Sequence, residues 1–528
     1  MADLRKKQGH DVQAKAVLAP NLASTPRQTG GGATAAAKRG IDEANSRKNI
    51  DQDYFDILSV QGRLPTLESF TAPRPSWRER LEMGKHLRET VPLAAHASYI
   101  PSPDRADPVA VLERQNATRV QKLVPTRNTR MVASPFGFFR GAAAIMAADL
   151  EATPATGLVV AACGDMHVAN FGLFASAERK LIFAINDFDE VHPGPWEWDL
   201  KRLGASAAVA AHFMDGDRTD AEGAVRAAVR AYRGRIRRYA EMGFLEVWYD
   251  QIDERTILDA TPSRLRRRAE QMMAKARAKG NLQVLDRLVE VVNGEHRIIE
   301  DVPLIVRETH VETGQSVPVA LDDMLRGYFG SLSDDRKRLV SRYRIIDVAR
   351  KVVGVGSVGT SCWVVFLQGR DTGDPLFLQV KEAGESVLAP HVPTKLAITH
   401  QGRRVVSGQR LTQGSPDIFL GWGGDAGRHF YVRQLSDMKG GTRFAEGDKE
   451  SLNGFSEYCA LCGWALALAH AKSGDAAMIA GYCGKSDALD DAITRFALAY
   501  CKQNDLDHDA LAAAARAGRV KIAPQAAL

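Results

Sequence analysis

GLVVAACGDMHVANFGLFASAERKLIFAINDFDEVHPGPWEWD, residues 157–199, is the stretch on which the fold turns. Two apolar runs within it, GLVVAAC at 157–163 and KLIFAI at 180–185, have the β-branched and aromatic content of short strands. Each runs into a polar loop, GDMHVAN after the first and NDFDEV after the second. If the two strands pair, Asp165 and Asn170 of one loop and Asp187 of the other aim their oxygens into one cleft. The D-x-x-x-x-N spacing alone is weak, because Asp165 and Asn170 equally suit turn capping. Asp189 and Glu190 add carboxylates to the second loop, either as further metal ligands or as ordinary exposed acids.

Downstream, the pattern changes near residue 342. RIIDVARKVVGVGSVGTSCWVVFLQGRDTGDPLFLQVKEA reads as three short antiparallel strands: one before the glycines, WVVFLQ after them, and LFLQVK after the GRDTGD turn. Gly354, Gly356 and Gly359 spell G-x-G-x-x-G with Ser357 among them. A dinucleotide-binding version of that pattern must open a helix, whereas SCWVVFLQ continues as strand. A glycine loop that closes a hairpin is the form that lies over ATP phosphates, and Lys381 in the following strand is placed to contact them. The alternative is an ordinary hairpin turn with a solvent-facing lysine.

The series GDMHVAN, an apolar strand, IND-F and GPWEWDL resembles the aminoglycoside phosphotransferase and choline kinase branch of the protein-kinase-like superfamily, whose members read H-G-D-x-H-x-x-N, I-D-F or I-D-W, and G-x-P-x-x-D-L. The resemblance implies that Asp165 orients or deprotonates the acceptor hydroxyl, and that Asn170 and Asp187 are magnesium ligands. It gives His167 and Asp199 structural roles, although Asp199 also suits a helix cap. Cys163 stands where that branch has histidine. The glycine loop and Lys381 follow the catalytic loop instead of preceding it, so the resemblance requires a circularly permuted order. No glutamate suits the lysine as a helix partner; Glu382 and Glu385 come too soon, and Gln409 is only a neutral candidate. From about residue 75 to 515 the chain closely resembles the bacterial family called domain of unknown function 2252, through segments such as LVPTRNTRM, SPFGFFRGAAAIMAADL, NDFDEVHPGPWEWDLKRL and YVRQLSDMKG.

The fold class expected is α+β: a two-lobed protein-kinase-like fold with a small antiparallel β lobe, a large mainly helical lobe and permuted chain order. Residues 1–50 read as a mobile basic tail, 51–340 as the helical lobe with both acidic loops, 341–445 as the β-rich lobe and 446–528 as helices returning to the large lobe. RAAVRAYRGRIRRYAEMG at 226–243 reads as an amphipathic surface helix, and 200–295 as mostly helical. A helix is expected over 396–413, and HFYVRQL at 429–435 reads as a further strand. At 528 residues, with 45% hydrophobic and 25% charged residues, the chain is long enough for more than one core. The net charge of +6 is concentrated in the first 50 residues, so the folded part lacks the basic footprint of a nucleic-acid-binding domain. No apolar run is long enough to span a membrane, and the N-terminus lacks a signal-peptide core, which reads as cytoplasmic. Cys459 and Cys462 form a C-x-x-C within a helical pattern, without a second pair at metal-ligand spacing.

The function expected is an ATP- and magnesium-dependent phosphotransferase acting on an unidentified acceptor, a small molecule before a protein. The alternatives are nucleotidyl (AMP) transfer on the same fold and a catalytically weak nucleotide-binding regulator. Arg127, Arg130 and Arg140 either hold an anionic group, as guanidinium forks do, or make structural salt bridges. Arg433, Asp437 and Lys439 are placed at the hinge beside the adenine.

Overall fold

The structure is a computed structural model that describes residue 67 and residues 71–308, 316–352, 354–356, 358–393, 399–435, 438–442 and 444–524. The basic tail expected over 1–50 lies outside the described residues. The fold is α+β, mostly helical, with four separate sheets among the described residues.

The centre of the helical part is the helix Trp196–Phe213. It is rich in alanine and buried on every side from Trp196 to Ala211, as a helix inside a core should be. Against it pack the helices Arg218–Glu241 and Ala488–Arg516, and the helix Phe455–Ser473 runs along Arg218–Glu241. The Arg-rich segment 226–243 is therefore not simply a solvated surface. One face, including Val225, Val229, Tyr232 and Ile236, enters the core. On the other, Arg233 bonds to Asp487 and Asp490 at the start of the last helix. Cys459 and Cys462 are both buried in this core.

Two small sheets carry the acidic loops. The strand β1 (Val159–Ala162) does not pair with the strand at 181–185, as the sequence pattern suggested. The strand β2 (Phe171–Ala175) forms a hairpin with β3 (Leu181–Ile185), and β1 pairs with β4 (His192–Pro195). Two strands were hidden. FGLFA is short and interrupted by glycine, and HPGP has the composition of a turn, tolerable in a two-stranded edge sheet. The region 200–295 likewise holds a hairpin, β5 (Val289–Val292) and β6 (Glu295–Ile298), closed by Asn293 and Gly294, both at positive φ.

The fourth sheet has six antiparallel strands: β7 (Ile305–Val306), β8 (Arg344–Lys351), β9 (Cys362–Gln368), β10 (Pro375–Glu382), β11 (Gly421–Asp425) and β12 (Arg428–Gln434). Their spatial order is β11-β12-β10-β9-β8-β7. Side chains alternate between faces with period two. Trp363, Val365, Leu378 and Val380 pack with Ala320, Met324 and Tyr328 of the helix Val317–Ser331. Val364, Phe366 and Phe377 pack on the opposite face with Val284 and Leu288. Lys381 falls on the face of Phe377, opposite Cys362 on β9 and Tyr431 on β12. The sheet thus draws β7 and its covering helices from before the boundary expected at 340. The helix expected over 396–413 is Gln401–Gln413; residues 394–398 of it lie outside the described residues.

A close helix crossing is at Gly463, where an added Cβ would sit 2.0 Å from the carbonyl oxygen of Ala228. Gly463→Ala should therefore lower stability by about 1–3 kcal/mol, as overpacked cores do. Thermal or urea denaturation checks this, and an unchanged midpoint would contradict the packing.

Candidate functional site

The first acidic loop turns at Gly164, whose φ is +74° and whose absent Cβ would lie 2.9 Å from the Glu190 carbonyl oxygen. Asp199 holds this turn. Its carboxylate accepts the backbone N–H groups of Cys163 at 2.6 Å and Gly164 at 2.9 Å, and His470 Nε2 lies 3.3 Å away. It is not the cap of its own helix, which begins after Pro195 with no side-chain cap. Cys163 contributes its amide while its buried thiol is pushed well up by burial.

Asp165 is oriented by Arg202, one turn beyond Asp199. Nε and Nη2 of Arg202 donate to Asp165 Oδ1 at 2.9 and 2.5 Å, and Nη2 also donates to the Phe139 carbonyl at 3.0 Å. The second oxygen, Oδ2, lies 3.7 Å from His167 Nε2. Burial pushes His167 down to about 4 despite Asp165, so it is neutral near pH 7.

Asn170 joins the two loops. Its Oδ1 accepts the Asp187 N–H at 2.9 Å, and its Nδ2 donates to the carbonyls of Asp165 and Asp187 at 3.1 Å each. Across from this clip stands Lys381, 1% exposed, with Nζ 3.3 Å from Asp187 Oδ2 and ion-paired also to Asp189. Tyr431 donates its hydroxyl to Asp189 Oδ1 at 2.7 Å. Burial would raise Asp187, but Lys381 and Arg433 outweigh it and hold the carboxyl well below the usual range. For Asp189, burial and the charge of Asp187 win, and its pKa is raised. Arg404 braces this loop from the helix Gln401–Gln413, donating to the carbonyls of Val191, Asp189 and Gly384. Gln409, the neutral candidate partner for the lysine, instead donates to Gln413.

The glycine segment connects the antiparallel strands β8 and β9, with Gly354 at φ +66° and Gly359 at φ +90°. The segment 119–141 holds it. Arg130 donates to the Gly354 carbonyl at 2.5 Å, Arg119 to that of Val358 at 2.7 Å, and the Val120 N–H to that of Gly359 at 2.7 Å. An added Cβ on Gly356 would lie 3.3 Å from the Arg140 carbonyl oxygen. Ser357 and Asp437 lie outside the described residues.

These pieces meet at a cavity of about 600 Å³ whose lining includes Asp165, Asn170, Asp187, Gly354, Gly356 and Arg140. Gly359 is not part of the lining, and Lys381 is buried behind its two carboxylates. A second cavity of about 320 Å³, lined by Phe174, Phe419 and Leu435, shares Asn186, Arg433 and Lys439 with the first. Among the described residues Arg127 makes no salt bridge; it donates to Asn116, Gln115 and the Gly141 carbonyl. Sequence reasoning missed Arg202, Arg404 and Tyr431. Arg202 was open to detection, since it lies three residues after Asp199 on one helix face; the other two are brought in by long-range packing.

A mostly helical α+β protein with two acidic loops and a buried lysine on one polar cavity is the class this geometry defines. The chain matches the family described as "Uncharacterized protein conserved in bacteria", domain of unknown function 2252, over residues 119–514, and belongs to it. That span contains both loops, the glycine segment and Lys381. No curated protein and no solved structure matches the chain. Among the described residues, no helix is long and apolar enough to cross a membrane.

Glu190 supplies a pH test of this electrostatic setting. Burial raises its pKa from 4.5 to about 7, against the pull of the Val387 N–H and Arg404. Between those values the folded protein holds a proton that the unfolded chain has lost, so this group's contribution to stability falls as pH rises. Relative to wild type, Glu190→Gln should gain stability from pH 4.5 up to pH 7 and level off above. Paired denaturation curves across that range check it; a constant difference would contradict it.

Proposed function

We propose that this protein transfers the γ-phosphoryl group of magnesium-bound ATP to a hydroxyl of a small acceptor, on a permuted kinase-like, two-lobed fold. One observation carries the reading. Lys381 lies 194 positions after Asp187 in the chain, yet its Nζ is 3.3 Å from Asp187 Oδ2, beside a cavity lined by Asp165 and the glycine segment. A lysine on the strand after a glycine hairpin, an aspartate for the metal and an asparagine and aspartate in a separate loop are the parts phosphoryl transfer uses.

The donor set suits the groups implied. Among the described residues no cluster of three His, Cys, Asp or Glu side chains is arranged to hold a metal. Magnesium does not need one, because it takes one or two carboxylates and fills its shell with phosphate oxygens and water. Asp187, held ionised by its cationic neighbours, and the remaining lone pair on Asn170 Oδ1 would hold it. Bound there, the ion would neutralise charge on the β- and γ-phosphates. Lys381 would direct its ammonium to the phosphates from between Asp187 and Asp189, and the glycine segment would cover them. Asp165 Oδ2 accepts the proton of the acceptor hydroxyl while Arg202 keeps the carboxylate in place. The acceptor oxygen forms its bond to the γ-phosphorus as the bond to the β,γ-bridging oxygen breaks, and ADP leaves with that electron pair.

A second reading, a nucleotide-binding regulator with little turnover, is favoured by one feature. The helix Gln401–Gln413 brings Lys381 no carboxylate, and its charged residue nearest the loop, Arg404, is a brace. Asp165→Ala should reduce ATP turnover by roughly 10²–10⁴-fold, the contribution of a general base, while Mg-ATP still raises the melting temperature. Equal turnover in variant and wild type would end the phosphotransferase reading. Thermal stabilisation with no turnover in the wild type would support the regulator.

A further inference from the structure

Four arginines from one short segment, Arg119, Arg127, Arg130 and Arg140, gather around the glycine loop. Two other largely buried arginines are ion-paired, Arg105 with Asp149 and Asp507 and Arg233 with Asp490, whereas Arg404 donates to Gln401 and three carbonyls. Among the described residues none of the four has a carboxylate within ion-pair distance. Arg127 is 1% exposed, donates only to neutral oxygens, and has a buried Nε with no acceptor. Arg119 spends one nitrogen on the Val358 carbonyl, and its Nε is also buried without an acceptor. Arg130 is occupied by the Gly354 carbonyl. Arg140 has no hydrogen bond or ion pair among the described residues, and its buried Nε is likewise without an acceptor.

Buried positive charge without a directly bonded counter-ion is costly, and burial lowers the pKa of all four guanidinium groups, although Glu190, Asp189 and Glu382 pull against it at Arg119 and Asp165 at Arg140. Three of the four, Arg119, Arg127 and Arg140, line the same cavity of about 600 Å³ as Asp165 and His167. Arg140 stands close enough to Asp165 for the carboxylate's charge to act on it, and close enough to disfavour a proton on His167. An anion entering the cavity there would supply what the protein leaves out. Arg127 and Arg130 are committed to holding backbone and neighbours, so Arg140 is the residue positioned to grip it.

We propose that the acceptor carries an oxyanion, a carboxylate or a phosphate, which Arg140 holds in a guanidinium fork with Arg119 and Arg127 behind it, presenting the acceptor hydroxyl to Asp165. This rests on the phosphotransferase reading for the identity of the acceptor, but the anion site itself does not. It sits on the Asp165 side of the cavity, and Lys381, Arg433 and the glycine segment are left to the nucleotide.

The test is thermal denaturation of the full chain with inorganic phosphate or succinate, each against sodium chloride at equal ionic strength, with and without saturating Mg-ADP. At least one anion should raise the midpoint by roughly 2 °C or more over chloride, additively with Mg-ADP. Which anion does so identifies the oxyanion. Arg140→Met should lose that shift and keep the Mg-ADP shift, and Arg140→Lys, which retains the charge, should recover part of it. The proposal is overturned if neither anion exceeds chloride, if Arg140→Met retains the anion shift, or if it loses the Mg-ADP shift as well, which would place Arg140 in the nucleotide site. An Arg140-dependent anion shift in a protein that does not respond to Mg-ADP would leave the anion site standing and remove the nucleotide reading.

Discussion

Lys381 is a buried ammonium held between two carboxylates, Asp187 and Asp189, that belong to a different part of the chain. A single buried lysine is unfavourable, and so are two acids side by side. Together they hold one another in place, and because Lys381 is 1% exposed, the loss of both carboxylates would leave its charge buried and uncompensated. This ties the six-stranded sheet to the second acidic loop. It also sets the protonation pattern, because Asp187 is held below the usual carboxylate range while the half-buried Asp189 is pushed towards its neutral form.

The loops on which this contact depends are positioned mostly by backbone hydrogen bonds to buried polar side chains. Asp199 holds the amides of Cys163 and Gly164, Asn170 closes the gap between the loops, and Arg404 holds three carbonyls of the second loop and its surroundings. Asp199 and Arg202 share the helix Trp196–Phe213, which is buried from Trp196 to Ala211. Asp165 therefore has one oxygen held by Arg202 and the other 3.7 Å from His167 Nε2. The glycine segment is held by Arg130, by Arg119 and by the Val120 amide.

Much of this was legible in the sequence, and the failures have physical causes. Asp165, Asn170 and Asp187 could be read because their oxygens sit in short loops bounded by apolar runs, and Lys381 because β-branched neighbours mark its strand. The strand partners were misread because pairing is non-local: FGLFA and HPGP carry weak signals and become strands only when β3 and β1 lie beside them. Asn293–Gly294 is a strong hairpin signal that was overlooked in a helical region. Asp199 looked like a helix cap because its place in the first turn suits one, and only the fold shows its carboxylate facing the other way. Arg404 and Tyr431 reach the acidic loop across more than two hundred residues of chain, a distance no local pattern encodes.

The central claim is that Lys381 and Asp187 face each other in order to receive a triphosphate and its metal. A crystal structure of the protein soaked with a non-hydrolysable ATP analogue and magnesium tests it directly. The account predicts phosphates beneath Gly354–Gly356, the metal on Asp187 and the Lys381 ammonium turned to the phosphates. A cavity that stays empty at saturating analogue, or a nucleotide bound away from Asp187, would contradict it.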